Sequence, residues 1–199
     1  MNQSIKACQA VNDFVVRFAN TNGTGSASAN HMFAKSIIRM GIPVSAKNIF
    51  PSNIQGMPTW YEVRISEKNY LARRGGPSEL VVAMNAQSLK GDIDSVAPGG
   101  FLLYDSSKAL AEENLRDDIH YLGMPISAIC VKEYQDARQQ QLFKNVIYVG
   151  ALAALLNIEF EVLKSLVGDQ FKGKEKLITP NIYALELGYQ FANQHFSCP

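Results

Sequence analysis

The sequence predicts an α/β fold with a doubly wound, mostly parallel sheet, a possible antiparallel strand and a helical C-terminal third at about residues 140–197. Three observations support this fold class. The β-rich run Phe14–Ala19 precedes a glycine-bearing turn and an amphipathic helical pattern, as in the first half of a βαβ unit. Further apolar runs recur through the middle of the chain. Helical spacing dominates the last third.

Each remaining element has its own signal. The helix after the first turn has one apolar face and ends near Gly41. Alternation over residues 59–66 predicts a strand with two unlike faces. Buried strands are predicted at Leu80–Met84, at Phe101–Tyr104 after a turn at Gly99-Gly100, and at Pro125–Val131. Helices are predicted at Leu142–Leu156, at Glu159–Gln170, and from Thr179 as N-cap with Pro180 in the first helical position.

The composition excludes several classes of protein. Apolar residues make up 47% of the chain, which is enough for a packed core, and the formal charge of +1 does not suit a nucleic-acid binder. Cys8, Cys130 and Cys198 are widely spaced and form no metal-ligand motif. No apolar run is long enough to span a bilayer, so we expect a soluble, cytoplasmic protein without membrane contact.

The turn after the first strand is the first candidate site. Its residues are Asn20, Thr21, Asn22, Gly23, Thr24, Gly25 and Ser26. Glycines let main-chain N–H groups approach a phosphate, and the following helix adds a partial positive charge. A sharp turn needs small residues even without a ligand, so the spacing leaves both interpretations open.

A nicotinamide cofactor fits this turn poorly. The dinucleotide motif needs a third glycine or alanine, where this chain has Ser28, and an acidic residue about 20 positions later. Val44–Lys47 contains no acidic residue, although Lys47 could meet a 2′-phosphate.

Two further loops are candidates. Phe50–Pro58 is stiff and polar, and we single out Ser52, Asn53, Gln55, Gly56 and Pro58 as a possible pocket rim. Adjacent arginines at Arg73-Arg74 could clamp an anion, although such pairs are more often solvated. We predict no catalytic residue, because His31, His120 and His195 are scattered and no nucleophile motif is present.

Taken in order, these segments resemble the gamma domain of the pyruvate and 2-oxoglutarate ferredoxin oxidoreductase family, over about Asp13 to Glu186. In many members the first turn reads Gly-x-Gly-Gly-Gln-Gly; here Asn20 and Asn22 replace glycines, and Gln55 replaces an arginine. The other matching segments are Gln55–Pro58 before Glu62–Ser66, Leu80–Asn85, Pro98–Gly100 leading into Tyr104–Ser106, and Lys144-Asn145 with Val149–Leu152. The amino-acid sequence of these segments is most similar to that of alpha subunits that carry this domain at their N-terminus. We therefore expect an excised or separately encoded domain spanning residues 1–199.

The resemblance implies a function in a larger enzyme. Members cleave 2-oxoacids oxidatively with coenzyme A, using thiamine diphosphate and iron–sulfur clusters, and reduce ferredoxin or flavodoxin. It implies that those cofactors lie on other domains, that this chain alone holds none, and that its partners are the alpha-type and beta-type thiamine domains. The two loops would then help to place coenzyme A or close the thiamine pocket, and the isolated domain would not turn over substrate.

Two other hypotheses stay open. The glycine turn and Lys47 are compatible with a free-standing NADP- or nucleotide-binding oxidoreductase. The apolar Val146–Leu156 helix and the apolar seam of the last helix are compatible with a purely structural assembly module.

Overall fold

The structure is a computed structural model that describes residues 12–49, 54–68 and 76–197. Its contacts divide the chain into two compact units. The sheet unit comprises Met1–Thr24 and Pro43–Pro125, and the helical unit comprises Gly25–Ile42 and Ile126–Pro199. Ser52, Asn53, Arg73 and Arg74, which the sequence analysis singled out, lie outside the described residues.

The sheet unit contains a six-stranded mixed sheet in the order β2-β3-β1-β4-β5-β6. Strand β3 is antiparallel to both β1 and β2, whereas β1, β4, β5 and β6 pair in parallel. This arrangement confirms the α/β class, the mostly parallel sheet and the antiparallel strand at residues 59–66. The strands are β1 Asp13–Thr21, β2 Val44–Ile49, β3 Pro58–Ser66, β4 Ser78–Ala83, β5 Val96–Asp105 and β6 His120–Met124.

Strand sequence and burial agree closely. The inner strand β4 is buried at all but one of its positions, as expected for a strand covered on both faces, and β1 is buried at Val15, Val16 and residues 18–20. Strand β3 alternates, with Tyr61, Val63 and Ile65 buried and Glu62 and Arg64 half-buried. The period-2 pattern of the sequence therefore follows directly from the two faces of the pleat.

Helices account for most of the described residues outside the sheet and confirm the helical C-terminal third. Helix α2 belongs to the sheet unit, and the other helices belong to the helical unit. No helix in the described ranges combines the length and apolar character that crossing a bilayer requires. The helices are α1 Ser26–Arg39, α2 Leu89–Asp94, α3 Ile126–Glu133, α4 Ala137–Leu155, α5 Phe160–Gln170 and α6 Ile178–His195.

Three sequence predictions were wrong in detail. The run Pro125–Val131 is not a strand but lies mainly in α3, and the strand of that region is β6. Gly99-Gly100 does not precede β5 but lies inside it, near a register irregularity opposite β4. Helix α6 starts before Thr179, so Pro180 falls within its first turn, where its missing N–H removes no helical hydrogen bond.

Helices α4 and α6 form the closest packing of the helical unit. A Cβ atom built on Gly150 would lie 2.0 Å from the carbonyl oxygen of Leu185, and one on Gly188 would lie 1.8 Å from that of Ile147. Only glycine at both positions lets the two backbones approach this closely. Buried Tyr148 on α4 also donates a hydrogen bond of 2.6 Å to the Asn30 side chain on α1, which ties a third helix to this pair.

We predict that Gly150→Ala or Gly188→Ala destabilises the fold by about 1–3 kcal/mol or more, because the added methyl group overlaps a backbone carbonyl. The matched control is Gly168→Ala on α5, where an added Cβ meets nothing within 4 Å. That variant should gain about 0.5–1 kcal/mol from helix propensity. Chemical denaturation measures all three, and equal effects at the packed and open positions would contradict the close-approach interpretation.

Candidate functional site

The turn after β1 and the segment before β3 are joined through Asn22. The Asn22 N–H donates to the Met57 carbonyl at 2.9 Å, and the Gly56 N–H donates to the Asn22 carbonyl at 3.0 Å. The Asn22 side-chain Nδ2 donates to the Ile54 carbonyl at 3.2 Å. The fold therefore brings together the first and second loops that the sequence analysis selected separately.

The turn after β1 and the segment before β3, here called the joined loops, are exposed, yet they contact each other closely. Gly23 and residues 54–57 are exposed, and Asn22, Thr24 and Pro58 are half-buried. A Cβ on Gly23 would lie 2.9 Å from Cγ of Gln55, so the Gln55 side chain fills the space next to the glycine. Thr24 Oγ1 donates to the Thr21 carbonyl at 2.8 Å and closes the turn on itself.

Asn20 and Thr21 are the last two residues of β1 rather than part of the turn, and Asn85 supports them from the end of the neighbouring strand. Its side-chain Nδ2 donates to the Asn20 carbonyl at 3.1 Å and to Thr21 Oγ1 at 3.0 Å. Its Oδ1 accepts from the Gln87 N–H at 2.8 Å. Asn85 is only 4% exposed and follows β4, whose carboxyl end lies beside that of β1 because the two strands are parallel. The sequence analysis did not name this residue as a site residue, although a polar residue directly after a buried strand is a usable signal.

Gly25 and Ser26 belong to the start of α1 in the helical unit. Gly25 has φ 81°, in the left-handed region, and no side chain caps the helix. A Cβ on Gly25 would lie 2.6 Å from Cδ2 of Leu142, so both backbone and packing favour glycine there. Ser26 is 6% exposed and Asn20 is 2% exposed. The exposed residues of the predicted site are therefore Gly23, Gly25, Gln55 and Gly56, whereas Asn20 and Ser26 are buried.

The topology opposes the dinucleotide-binding hypothesis. The dinucleotide fold places its second strand parallel to and beside the first. Here β1 is flanked by β3 and β4, and β2 pairs with β3. Lys47 is exposed on β2 and is therefore separated from the turn after β1 by a whole strand.

The sequence analysis did not identify a buried carboxylate, Asp92, that accepts hydrogen bonds from two side chains. Asp92, 1% exposed, accepts hydrogen bonds from Trp60 Nε1 at 2.7 Å and from Ser88 Oγ at 2.6 Å. The Arg17 guanidinium lies 5.4 Å from the centre of the Trp60 ring. Burial raises the pKa of the Asp92 carboxyl, while the Ser88 and Trp60 hydrogen bonds and the Arg17 charge act in the opposite direction. Its partners come from three separate parts of the chain, so no sequence pattern reveals it.

Metal ligands are not assembled in the described residues. No cluster of three or more His, Cys, Asp or Glu side chains there could hold a metal ion. Cys130 is buried in α3, and the His120 ring stacks on Phe101 at 4.8 Å in the sheet unit. The described residues therefore do not fit the thiolate ligand set of an iron–sulfur cluster.

The fold matches domains of 2-oxoacid oxidoreductases. The structure of 2-oxoglutarate:ferredoxin oxidoreductase from Magnetococcus marinus, with 2-oxoglutarate, coenzyme A and succinyl-CoA bound, matches with a TM-score of 0.82 and 26% identity over 96% of this chain and 32% of its own. Pyruvate oxidoreductase subunit PORC from Thermotoga maritima shares the fold, with a TM-score of 0.69 and 20% identity over 90% of this chain and 97% of its own.

The family model described as pyruvate ferredoxin/flavodoxin oxidoreductase matches residues 15–191, and the chain belongs to this family. Subunit alpha of 2-oxoacid:ferredoxin oxidoreductase 2 from Aeropyrum pernix is 24% identical over 94% of this chain and 35% of its own length. Ketoisovalerate oxidoreductase subunit VorA from Methanothermobacter thermautotrophicus is 26% identical over 90% of this chain and 36% of its own length. The chain spans about a third of the length of these relatives. The family expected from the sequence is therefore confirmed.

We predict that Asn85→Asp destabilises the fold by about 1–3 kcal/mol, because the variant keeps the acceptor for Gln87 but loses the donor to Asn20 and Thr21. Hydrogen exchange should also speed up in the turn after β1. Asn48→Asp, on the exposed part of β2, introduces the same charge as a control. Unchanged exchange in the turn would contradict a supporting role for Asn85.

We predict a pH-dependent contribution from Asp92. Its pKa is higher in the folded than in the unfolded chain, so the folded state holds the proton more tightly. The unfolding free energy that this group contributes therefore falls as the pH rises above the ordinary carboxyl pKa. Stability of the wild type relative to Asp92→Asn should therefore fall as the pH rises above about 4, the ordinary carboxyl pKa. Denaturation at several pH values measures this, with exposed Asp94→Asn as the control, and a difference that rises with pH would contradict it.

Proposed function

We propose that residues 1–199 form one gamma-type domain of a thiamine-diphosphate-dependent 2-oxoacid:ferredoxin oxidoreductase that converts a 2-oxoacid to an acyl-CoA. In this proposal the joined loops, Asn20–Thr24 with Ile54–Pro58, border the active centre and help to place coenzyme A. The observation that carries it is the set of three hydrogen bonds at Asn22, which unites both predicted loops at the carboxyl end of β1.

The chemistry of the joined loops supports positioning rather than catalysis. Neither loop contains an acidic, basic, histidine or cysteine side chain. General acid–base catalysis needs a titratable group within reach of the proton, so these loops cannot supply it. Amides, hydroxyls and a rigid backbone can instead orient a substrate and exclude water. Thiamine diphosphate, carried by another domain, would supply the carbanion stabilisation of the reaction.

The comparisons support coenzyme A as the ligand to be positioned. The Magnetococcus marinus enzyme holds coenzyme A and succinyl-CoA, and its matching part covers 96% of this chain. Exposed Gln55 offers a donor and an acceptor beside Gly23, which suits the amides and phosphates of coenzyme A. Within a complete cytoplasmic enzyme, the thiamine domains and a ferredoxin or flavodoxin would be the partners.

A purely structural module is the second candidate. The main-chain N–H, the carbonyl and the side-chain Nδ2 of Asn22 are all engaged within the chain. The turn therefore keeps fewer donors for a ligand than its sequence suggests. This candidate predicts that the exposed side chains of the joined loops do not affect substrate kinetics.

Gln55→Ala in the complete enzyme distinguishes the two candidates. We predict a rise of about 2- to 10-fold in KM for coenzyme A, the equivalent of one lost hydrogen bond, with KM for the 2-oxoacid nearly unchanged. Gln170→Ala, at the exposed end of α5, is the control. Steady-state kinetics with coenzyme A as the varied substrate gives the answer. Identical constants for both variants would reject the positioning role and favour the structural module.

A further inference from the structure

A cavity of about 310 Å³ lies between helices α1 and α5, both of which belong to the helical unit. Met32 and Leu166, both buried, form its apolar side. The other lining residues are polar: Ser28, His31, Lys35, Arg39, Asp169 and Gln170. An apolar surface with a few polar groups is the usual composition of a small-molecule site, and this volume is at the lower end of the usual range.

Three basic side chains form a row along the cavity. His31, Lys35 and Arg39 are exposed and are spaced four residues apart on α1, so they lie on one side of the helix. With a rise of about 1.5 Å per residue, the row is about 12 Å long. An anion in the cavity can therefore meet more than one of these side chains.

The charges around the cavity do not cancel. Asp169 is the one acidic residue that lines it, and Arg39 pairs with Asp169 and donates to Ser165 Oγ at 2.9 Å. The pKa of the Asp169 carboxyl is lowered by Arg39 most strongly, and also by the charges of Lys172 and Lys35. One carboxylate among three permanent cations leaves these four side chains with two positive charges in excess.

The ion pair between Arg39 and Asp169 does not withhold Arg39 from a ligand. The two side chains are 40% and 63% exposed. Ion pairs between exposed side chains are weak in water, because solvent screens them. A bound dianion can therefore recruit the Arg39 guanidinium at little cost.

A phosphate monoester matches this cavity better than a single carboxylate does. It carries a charge of about −1.5 to −2 at neutral pH and three acceptor oxygens, which balances two excess positive charges. The Lys35 ammonium and the Arg39 guanidinium are both suitable donors to phosphate oxygens. The apolar side formed by Met32 and Leu166 suits the flat base of a nucleotide, and Gln170 offers an amide donor and acceptor to the edge of that base.

We propose that the cavity between α1 and α5 binds a mononucleotide, with its phosphate at Lys35 and Arg39 and its base against Met32 and Leu166. No residue of the joined loops lines this cavity, so the inference does not depend on the proposed function. A free mononucleotide and the nucleotide portion of a larger cofactor share the same chemistry. The small volume favours the free mononucleotide.

Hydrogen–deuterium exchange of the complete enzyme, read out by mass spectrometry, locates the ligand. Adenosine 5′-monophosphate should slow exchange in peptides of α1 and α5. Adenosine, which lacks the phosphate, should leave these peptides unchanged. Protection by adenosine 5′-monophosphate supports the proposal. No protection by it, equal protection by adenosine, or protection by coenzyme A alone overturns the proposal.

Substitution tests the role of the basic row. Lys35→Ala should raise the Kd for adenosine 5′-monophosphate about tenfold, as expected for one lost hydrogen bond from a charged donor, and Lys35→Arg should retain binding. Lys132→Ala on α3 is the matched control, because it removes the same charge from an 83% exposed side chain of another helix. The concentration dependence of protection in α1 gives the Kd for this cavity alone. Equal effects of the two alanine substitutions would overturn the proposal.

Discussion

The hydrogen bonds of Asn22 are the constraint on which the candidate site depends. They connect a turn that follows the first strand to a loop that precedes the third, more than 30 positions later in the sequence. Without them the two loops would be independent surface connections. With them, one asparagine holds the backbone of residues 54–57 beside the turn that contains Gly23.

The directions of the strands also determine which residues meet at the end of β1. Parallel pairing of β1 and β4 places Asn85 beside the end of β1, where its amide satisfies a buried carbonyl and a hydroxyl. Antiparallel pairing of β1 with β3 returns the Ile54–Met57 loop to the same end. If β3 ran parallel to β1, its first residue would lie at the opposite end of the strands, away from the turn after β1. Among the described strands β3 alone runs opposite to the other five, and its direction brings the two loops to the same end of the sheet.

The sequence allowed prediction of the fold class and of both loops, because local patterns specify them. Alternation identified β3, and the order of apolar run, glycine turn and amphipathic helix identified β1 and α1. The Pro125–Val131 run failed because a short run rich in isoleucine and valine fits a strand and a buried helix equally well. The strand of this region, β6, directly precedes that run and contains His120 and Gly123, which do not favour a strand prediction. Contacts between distant residues, such as Asn22 with Met57 or Trp60 with Asp92, leave no periodic trace and emerge only from the folded chain.

Lys47 lies on β2, one of the two edge strands of the sheet. Ser45 to Asn48 are exposed, and β2 pairs with β3 on one side only among the described strands. An outer strand presents unpaired main-chain groups that invite a foreign strand to add to the sheet. A lysine in its centre opposes such addition through its charge and its strongly hydrated ammonium group. The charge of Lys47 therefore lowers the tendency of copies of this chain to add to one another along β2.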